Sequence, residues 1–168
     1  MTRLTQEELS RTLSQEGYGI IGEEVDTPST LSVADAKEMV EPGGFVIIQP
    51  RSSKYRNKRV VHHCLTRGIL VFDSVGEFKR YRHLLALESA GIVSDLRLQV
   101  PFEILPSFTT EQGENVKGIT YKADFVYNEQ GNDIIEDFKG MRTDVFNLKW
   151  RMMQYQYGNL YELRLTSK

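Results

Sequence analysis

The sequence has 168 residues, of which 40% are hydrophobic and 26% are charged, as is usual for a globular protein of one domain with at most a small appendage. No apolar run is long enough to span a bilayer, and the single cysteine, Cys64, excludes an intramolecular disulfide and indicates a reducing cytoplasm. The net charge of −2 is unevenly distributed, because residues 1–50 carry −6 and residues 51–168 carry +4. The second part therefore has the charge that phosphate binding requires.

Residues 1–50 are predicted to form an acidic N-terminal appendage. A capping box that begins at Thr5 predicts a helix to about Glu16. The stretch from Ser32 to Val40 predicts a second helix, and Phe45 to Ile48 predicts a strand. Two interpretations remain for this region: a small layer that covers the core, or an acidic arm that binds a partner protein or shields a basic cleft.

Residues 51–168 are predicted to form the main domain, and the segment from Pro50 to Arg59 at its start is polar and basic. This segment is either a solvated linker or a strap that contacts phosphates. The candidate nucleic-acid-binding side chains in it are Lys54, Arg56, Lys58 and Arg59. A hairpin follows, with strands from Val60 to Leu65 and from Ile69 to Phe72. We interpret His62, His63 and Cys64 as packing residues, because neighbouring strand residues point to opposite faces and cannot share one metal ion.

The stretch from Ser74 to Ala90 is the clearest helix of the sequence, with one apolar side and Gly91 after its end. Lys79, Arg80 and Arg82 are expected on its exposed face. Glu77 stands three residues after Ser74, so the pair is itself a capping box and needs no catalytic role. A strand from Leu96 to Leu105 comes next, and Pro101 indicates an edge or a bulge.

The stretch from Tyr121 to Gly140 reads as two apolar strands joined by a turn that contains Asn128, Gly131 and Asn132. Asp124, Asp137 and Lys139 lie within these strands, where a charge is costly unless it is paired or binds a cation. Because side chains alternate, Asp137 and Lys139 share a face, roughly 7 Å apart along the strand, and Glu136 takes the opposite face. If Asp124 faces the same side, the three groups form either a Mg²⁺ site or a buried salt-bridge network.

The last two elements are predicted to be a helix from about Val145 to Tyr155, capped by Thr143 or Asp144, and a strand from Leu160 to Leu165. The helix carries Lys149 beside apolar residues, and Arg142 lies just before it.

Three short motifs in this order resemble the PD-(D/E)XK nuclease superfamily, in particular its phage proteins and the Holliday-junction resolvases of the endonuclease I type. The motifs are Ser74-Val75-Gly76-Glu77, Ala123-Asp124-Phe125 and Asp137-Phe138-Lys139-Gly140, and the resemblance covers about residues 54–165. One departure is Ala123, which stands where the signature has a proline.

The resemblance implies an α/β fold with a mixed, twisted central sheet flanked by helices, and a DNA endonuclease that depends on Mg²⁺, with Mn²⁺ as a possible substitute. Asp124 and Asp137 would hold the metal, Glu77 would complete or tune the site, and Lys139 would orient or activate water. Arg142 and Lys149 would lie on the DNA-binding side. The implied substrate is branched or Holliday-junction DNA cut by a homodimer, in the host cytoplasm if the chain is phage-encoded.

Two other functions stay open from the sequence. One is an exonuclease or nickase of the same superfamily. The other is a non-catalytic interaction protein on a nuclease fold, whose acidic N-terminal region binds another protein. The intact pair of aspartates and the lysine favour an enzyme.

Overall fold

The computed structural model describes residues 31–48 and 58–167. The predicted helix that begins at Thr5 lies outside the described residues, and so do Lys54 and Arg56. Internal contacts divide the chain into two compact units, Met1–Lys79 and Arg80–Lys168. The division falls within a helix, so the two units are described separately.

The first unit contains one helix and a three-stranded antiparallel sheet. The elements are α1 (Val33–Met39), β1 (Phe45–Ile48), β2 (Arg59–Cys64) and β3 (Gly68–Phe72), and the strand order is β1-β2-β3. Ser32 caps α1 through a reciprocal capping box with Asp35, which satisfies helix N–H groups that would otherwise lack partners. The buried side of α1 packs on this sheet through Ala36, Val40, Val46, Ile48 and Val61.

The helix α2 (Val75–Ser89) begins in the first unit and continues into the second. The second unit then contains β4 (Val93–Leu105), β5 (Phe108–Thr109), β6 (Asn115–Val116), β7 (Ile119–Glu129), β8 (Asn132–Phe138), α3 (Asp144–Tyr157) and β9 (Glu162–Thr166). Four strands form a sheet in the order β4-β7-β8-β9. The β8–β9 pair is parallel and the other pairs are antiparallel, so the sheet is mixed and the predicted α/β class is confirmed.

The core of the second unit lies between this sheet and α3. Phe146, Trp150 and Met153 of α3 are buried against side chains of β4, β7 and β8, namely Phe102, Ile104, Tyr121, Ala123, Val126 and Ile135. Tyr121 and Ala123 are two residues apart, as strand alternation requires, but the next member of β7 is Val126. The alternation of β7 therefore breaks between Ala123 and Val126, and Asp124 lies at this break.

The hairpin of β7 and β8 turns at Gln130 and Gly131, whose φ angles are 53° and 93°. Two consecutive positive φ angles in a two-residue loop are typical of a type I′ turn, and the Asn128 side chain accepts a hydrogen bond from the Gly131 N–H at 2.8 Å. Pairing runs from Glu129↔Asn132 back to Phe125↔Glu136. The next pair in this register is Asp124 and Asp137, so the two aspartates face each other where the paired ladder ends.

Most predicted elements agree with the structure to within a few residues, and β4 lies at the edge of its sheet as Pro101 indicates. Between β4 and β7 the chain forms the short β5–β6 pair. The prediction that Arg80 lies on the exposed face of α2 is wrong, because its side chain is only 19% exposed and pairs with a buried glutamate. No helix in the described part of the chain is long and apolar enough to cross a membrane.

Candidate active site

Asp137 and Lys139 stand at the end of β8, where the strand leaves its antiparallel neighbour. The Asp137 side chain is 1% exposed, and the Lys139 ammonium lies 3.1 Å from its Oδ2 and 3.5 Å from its Oδ1. The Lys139 backbone N–H donates to the carbonyl of Thr166 in β9 at 2.8 Å. Its Nζ also lies 5.2 Å from the centre of the Phe146 ring, which is cation–π distance. Backbone, carboxylate and ring thus hold the lysine head next to Asp137.

Asp124 lies at the break in β7 and is also buried. Its Oδ2 accepts from the backbone N–H of Phe138 at 2.9 Å, and its Oδ1 accepts from the side-chain amide of Gln99 at 3.2 Å. Burial, and next the negative charge of Asp137, raise the pKa of Asp124 from 3.8 to about 6, against the opposing effect of these hydrogen bonds and of Lys139. The two carboxylates therefore interact closely, as the strand register requires.

Gln99 supports Asp124 from the edge strand β4 with an unusual backbone. Its φ angle is 54°, in the left-handed region that side chains other than glycine rarely occupy. It lies between Leu98 and Val100, which pair with Phe125 and Ala123, so it stands opposite Asp124. Strained backbone of this kind concentrates at functional sites, and here it accompanies a contact to a candidate ligand.

Tyr121 reaches Asp137 from the same strand as Asp124. Its hydroxyl donates to Asp137 Oδ1 at 2.7 Å. Burial, and next the Asp137 charge, raise the pKa of Tyr121 far above its ordinary value, so the hydroxyl stays a proton donor at neutral pH. Asp137 Oδ2 is the one buried side-chain nitrogen or oxygen in the described residues without a hydrogen bond. It faces the Lys139 ammonium without the geometry of such a bond.

These donors fit a hard divalent cation that keeps much of its water shell. Mg²⁺ is commonly held by one or two carboxylates, with water and substrate phosphate in the remaining positions. Asp124 and Asp137 supply two carboxylates, and Asp137 Oδ2 is a buried oxygen that lacks a hydrogen bond. Across the residues that the structure describes, no group of three or more His, Cys, Asp or Glu side chains is placed to hold an ion.

Glu77 belongs to the first unit and performs the capping role that its spacing from Ser74 predicts. Its backbone N–H donates to the Ser74 hydroxyl at 3.1 Å, and its Oε2 accepts from the backbone N–H of Asp73 at 3.2 Å. The side chain is 8% exposed. Both oxygens of Glu77 thus have contacts at the start of α2, and a part in metal binding remains a prediction.

A family model described as "Protein of unknown function (DUF1064)" matches residues 52–167, the larger part of the chain. The chain belongs to this family. No curated protein and no solved structure matches it.

The residue next to Asp137 has a different environment in this DUF1064 protein. Glu136 is fully buried, and Arg80 binds both of its oxygens, at 2.6 and 2.7 Å. It also accepts from Tyr127 at 2.6 Å and from Thr166 at 2.9 Å. Burial opposes ionisation of Glu136, but the bonds from Arg80 and Tyr127 outweigh it and hold its pKa below the ordinary value. Glu136 is a satisfied structural anion, whereas Asp137 keeps one oxygen without a hydrogen bond.

The remaining candidate DNA-binding residues of the DUF1064 chain have different local environments. Arg59 pairs with Asp73 at 3.1 Å, and both side chains are more than half exposed. Lys58 is half-buried and Arg142 is exposed. The ammonium of Lys149 lies 3.3 Å from the carbonyl of Thr120. Lys149 thus contacts the start of β7, four residues before Asp124, and its contact with DNA stays a prediction.

Sequence patterns alone indicate Asp124, Asp137 and Lys139 but miss three of their partners. Gln99 and Tyr121 donate to the two aspartates, and Phe146 lies under the lysine head. Tyr121 lies three residues before Asp124, on a strand where regular alternation would place it on the other face. Alternation therefore does not predict that Tyr121 lies beside the aspartates, because it assumes a regular strand and β7 has a break.

Proposed function

We propose that this protein is a metal-dependent DNA endonuclease that hydrolyses phosphodiester bonds with Mg²⁺. The observation that supports the proposal most directly is the state of Asp137. A buried carboxylate oxygen without a hydrogen bond, next to a lysine and opposite a second carboxylate, is costly for a fold that has no use for it. The same three groups make up the nuclease-like signature of the sequence.

The chain's own residues have separable roles in this proposal. Asp124 of β7 and Asp137 of β8 would hold the ion between these two strands. Their negative charges would repel other anions from that position. Bound Mg²⁺ supplies Lewis-acid stabilisation and a more acidic water. The Lys139 side chain is 34% exposed, so its ammonium can contact a phosphate or a water at the site as well as Asp137. It would orient that water and stabilise the charge that develops on the phosphate oxygens.

Branched DNA and a phage recombination or replication process are the substrate and setting that we propose within this class. The support is the order and spacing of the three motifs, which resemble junction resolvases. An exonuclease or nickase uses the same constellation, and substrates with and without free ends distinguish these activities.

A cleavage assay on linear, nicked, supercoiled and four-way-junction DNA tests the proposal. We expect cleavage with Mg²⁺ or Mn²⁺ and none with EDTA, and a loss of most of the rate in Lys139→Ala. Lys122→Ala is the matched control, because Lys122 is an exposed lysine of the same hairpin and its loss should leave the rate unchanged. Absence of cleavage on every substrate with both metals would favour the non-catalytic interaction protein instead.

A further inference from the structure

Tyr121 is the side chain that fixes the orientation of Asp137. Its hydroxyl donates a short hydrogen bond of 2.7 Å to Oδ1, and hydrogen bonds from a hydroxyl to a charged carboxylate are among the stronger ones in proteins. A carboxylate held at one oxygen presents the other in a fixed direction. Here that other oxygen is Oδ2, which has no hydrogen bond among the described residues.

The position of the Tyr121 ring is itself fixed by α3. The ring is 5% exposed, and its centre lies 5.8 Å from that of Trp150 and 6.4 Å from that of Phe146. Phe146 stacks on Trp150 and also lies under the Lys139 ammonium. One aromatic cluster of α3 therefore sets the positions of both groups that contact Asp137.

The two contacts on Asp137 oppose each other. The Lys139 ammonium lies 3.1 Å from Oδ2 and 3.5 Å from Oδ1, so it lies beside both oxygens and shares Oδ1 with the shorter Tyr121 bond. An ammonium that pairs with both oxygens competes with a divalent cation for the same charge. The Tyr121 bond limits this competition, because it holds Oδ1 at a shorter distance than the lysine does and fixes the rotation of the carboxylate.

We infer that Tyr121 is a positioning residue for the metal site, and that its hydroxyl presents Asp137 Oδ2 to a divalent cation by fixing the rotation of the carboxylate beside Lys139. This inference rests on the proposed function. Partners that orient a ligand without contacting the metal commonly change metal affinity by about 10- to 100-fold when they are removed.

Calorimetric titration of the full chain with Mn²⁺ and with Mg²⁺, without DNA, tests this role. Tyr121→Phe keeps the ring and removes only the hydroxyl, and we expect metal affinity to fall by about 10- to 100-fold. Tyr157→Phe is the matched control, because the Tyr157 hydroxyl donates to the backbone carbonyl of Glu103 at 2.9 Å and belongs to the same aromatic core. A merely structural role would lower both melting temperatures and leave both affinities unchanged.

The double variant Tyr121→Phe with Lys139→Met provides a second measurement that does not depend on the stability of the single variant. When the competing ammonium is removed, Tyr121→Phe should lower metal affinity by less than about threefold, because the two residues act on the same oxygen. Wild-type affinity in folded Tyr121→Phe, or an equal loss with and without Lys139, would overturn the inference. A wild type that binds Mn²⁺ but cuts no DNA would remove the proposed function and leave the role of Tyr121 standing. A wild type that binds neither metal would overturn both.

Discussion

At the scale of single residues, the adjacent acids Glu136 and Asp137 have different hydrogen-bonding environments. Glu136 is surrounded by donors from Arg80, Tyr127 and Thr166. Asp137 has one hydroxyl, one lysine and an oxygen without a hydrogen bond. The difference follows from strand alternation, which places neighbouring side chains on opposite faces.

We expect Asp137→Asn to abolish metal-dependent cleavage, because it removes a charged ligand without changing the shape of the side chain. Glu136→Gln should stay within about tenfold of the wild-type rate, which corresponds to about 1.4 kcal/mol in the barrier. It should instead lower the melting temperature, since Arg80 then lacks its buried anion. Cleavage rate against Mg²⁺ concentration, with thermal melting alongside, separates the two effects. An active Asp137→Asn together with an inactive Glu136→Gln would show that Glu136, and not Asp137, is the functional acid.

Asp124 should lower the stability of the metal-free protein at neutral pH. Its pKa rises from 3.8 to about 6 on folding, so between these values the folded state binds more protons than the unfolded state. Its contribution to the free energy of unfolding therefore falls as pH rises through this window and reaches its full unfavourable value above about pH 6. The corresponding penalty at neutral pH is on the order of 3 kcal/mol.

We therefore predict that Asp124→Asn is more stable than wild type at pH 7.5 in EDTA, and that the difference disappears near pH 4. Asparagine keeps an oxygen for the Phe138 N–H, and the Gln99 amide can turn to accept from its NH₂ group. Added Mg²⁺ should stabilise wild type and not the variant. Urea unfolding at several pH values measures this, and a variant that is less stable at every pH would contradict it.

At the scale of elements, the N-terminal turn of α3 supports the candidate site. The Thr143 hydroxyl caps the helix by accepting from the Phe146 N–H at 3.2 Å. Phe146 in turn contacts Tyr121 and Lys139. A change in this cap should therefore alter the site by shifting the Phe146 ring.

Thr143→Ala should cost about 1 kcal/mol of stability, as is usual for loss of an N-cap, and should also weaken metal binding. Ser32→Ala removes the cap of α1 in the first unit and serves as its control, because it should cost a similar amount of stability with no change in metal affinity. Thermal melting and Mn²⁺ titration of both variants make the comparison. Equal metal affinity in the two variants would show that the cap has no connection to the site.

Local patterns in the sequence were sufficient to predict most of these elements. Caps and the spacing of apolar residues located α2 and α3, and the turn at Gly131 located the hairpin. Alternation also distinguished Asp137 from Glu136. The same rule fails in β7, where the break at Asp124 brings Tyr121 to the site, and no sequence signal marks the positive φ angle of Gln99. Arg80 was assigned to solvent because helical periodicity carries no information about a partner 56 residues away.

At the scale of the whole molecule, a nuclease that resolves junctions needs two active sites, and the described residues 31–48 and 58–167 contain one candidate site. The resemblance to resolvases therefore leads us to expect a homodimer that cuts four-way junctions faster than duplex DNA of the same sequence. Light scattering of the protein alone and with a junction measures the first property, and Asp137→Asn allows the complex to be observed without cleavage. A monomer in both conditions would rule out the dimer, and equal rates on the two substrates would rule out the preference.

The hydrogen bond from the Phe138 N–H to Asp124 makes one backbone amide a natural reporter of the site. Most amides of a sheet donate to backbone carbonyls, but this one donates to a carboxylate oxygen, so its NMR chemical shift depends on the charge of that carboxylate. A cation or a proton that reaches Asp124 should move the Phe138 resonance without any substrate present. The amides of Ile134 and Ile135, which lie within the paired region of the same strand, would stay in place and give an internal reference. A single labelled sample therefore reports whether a cation or a proton occupies the site, without any reaction taking place.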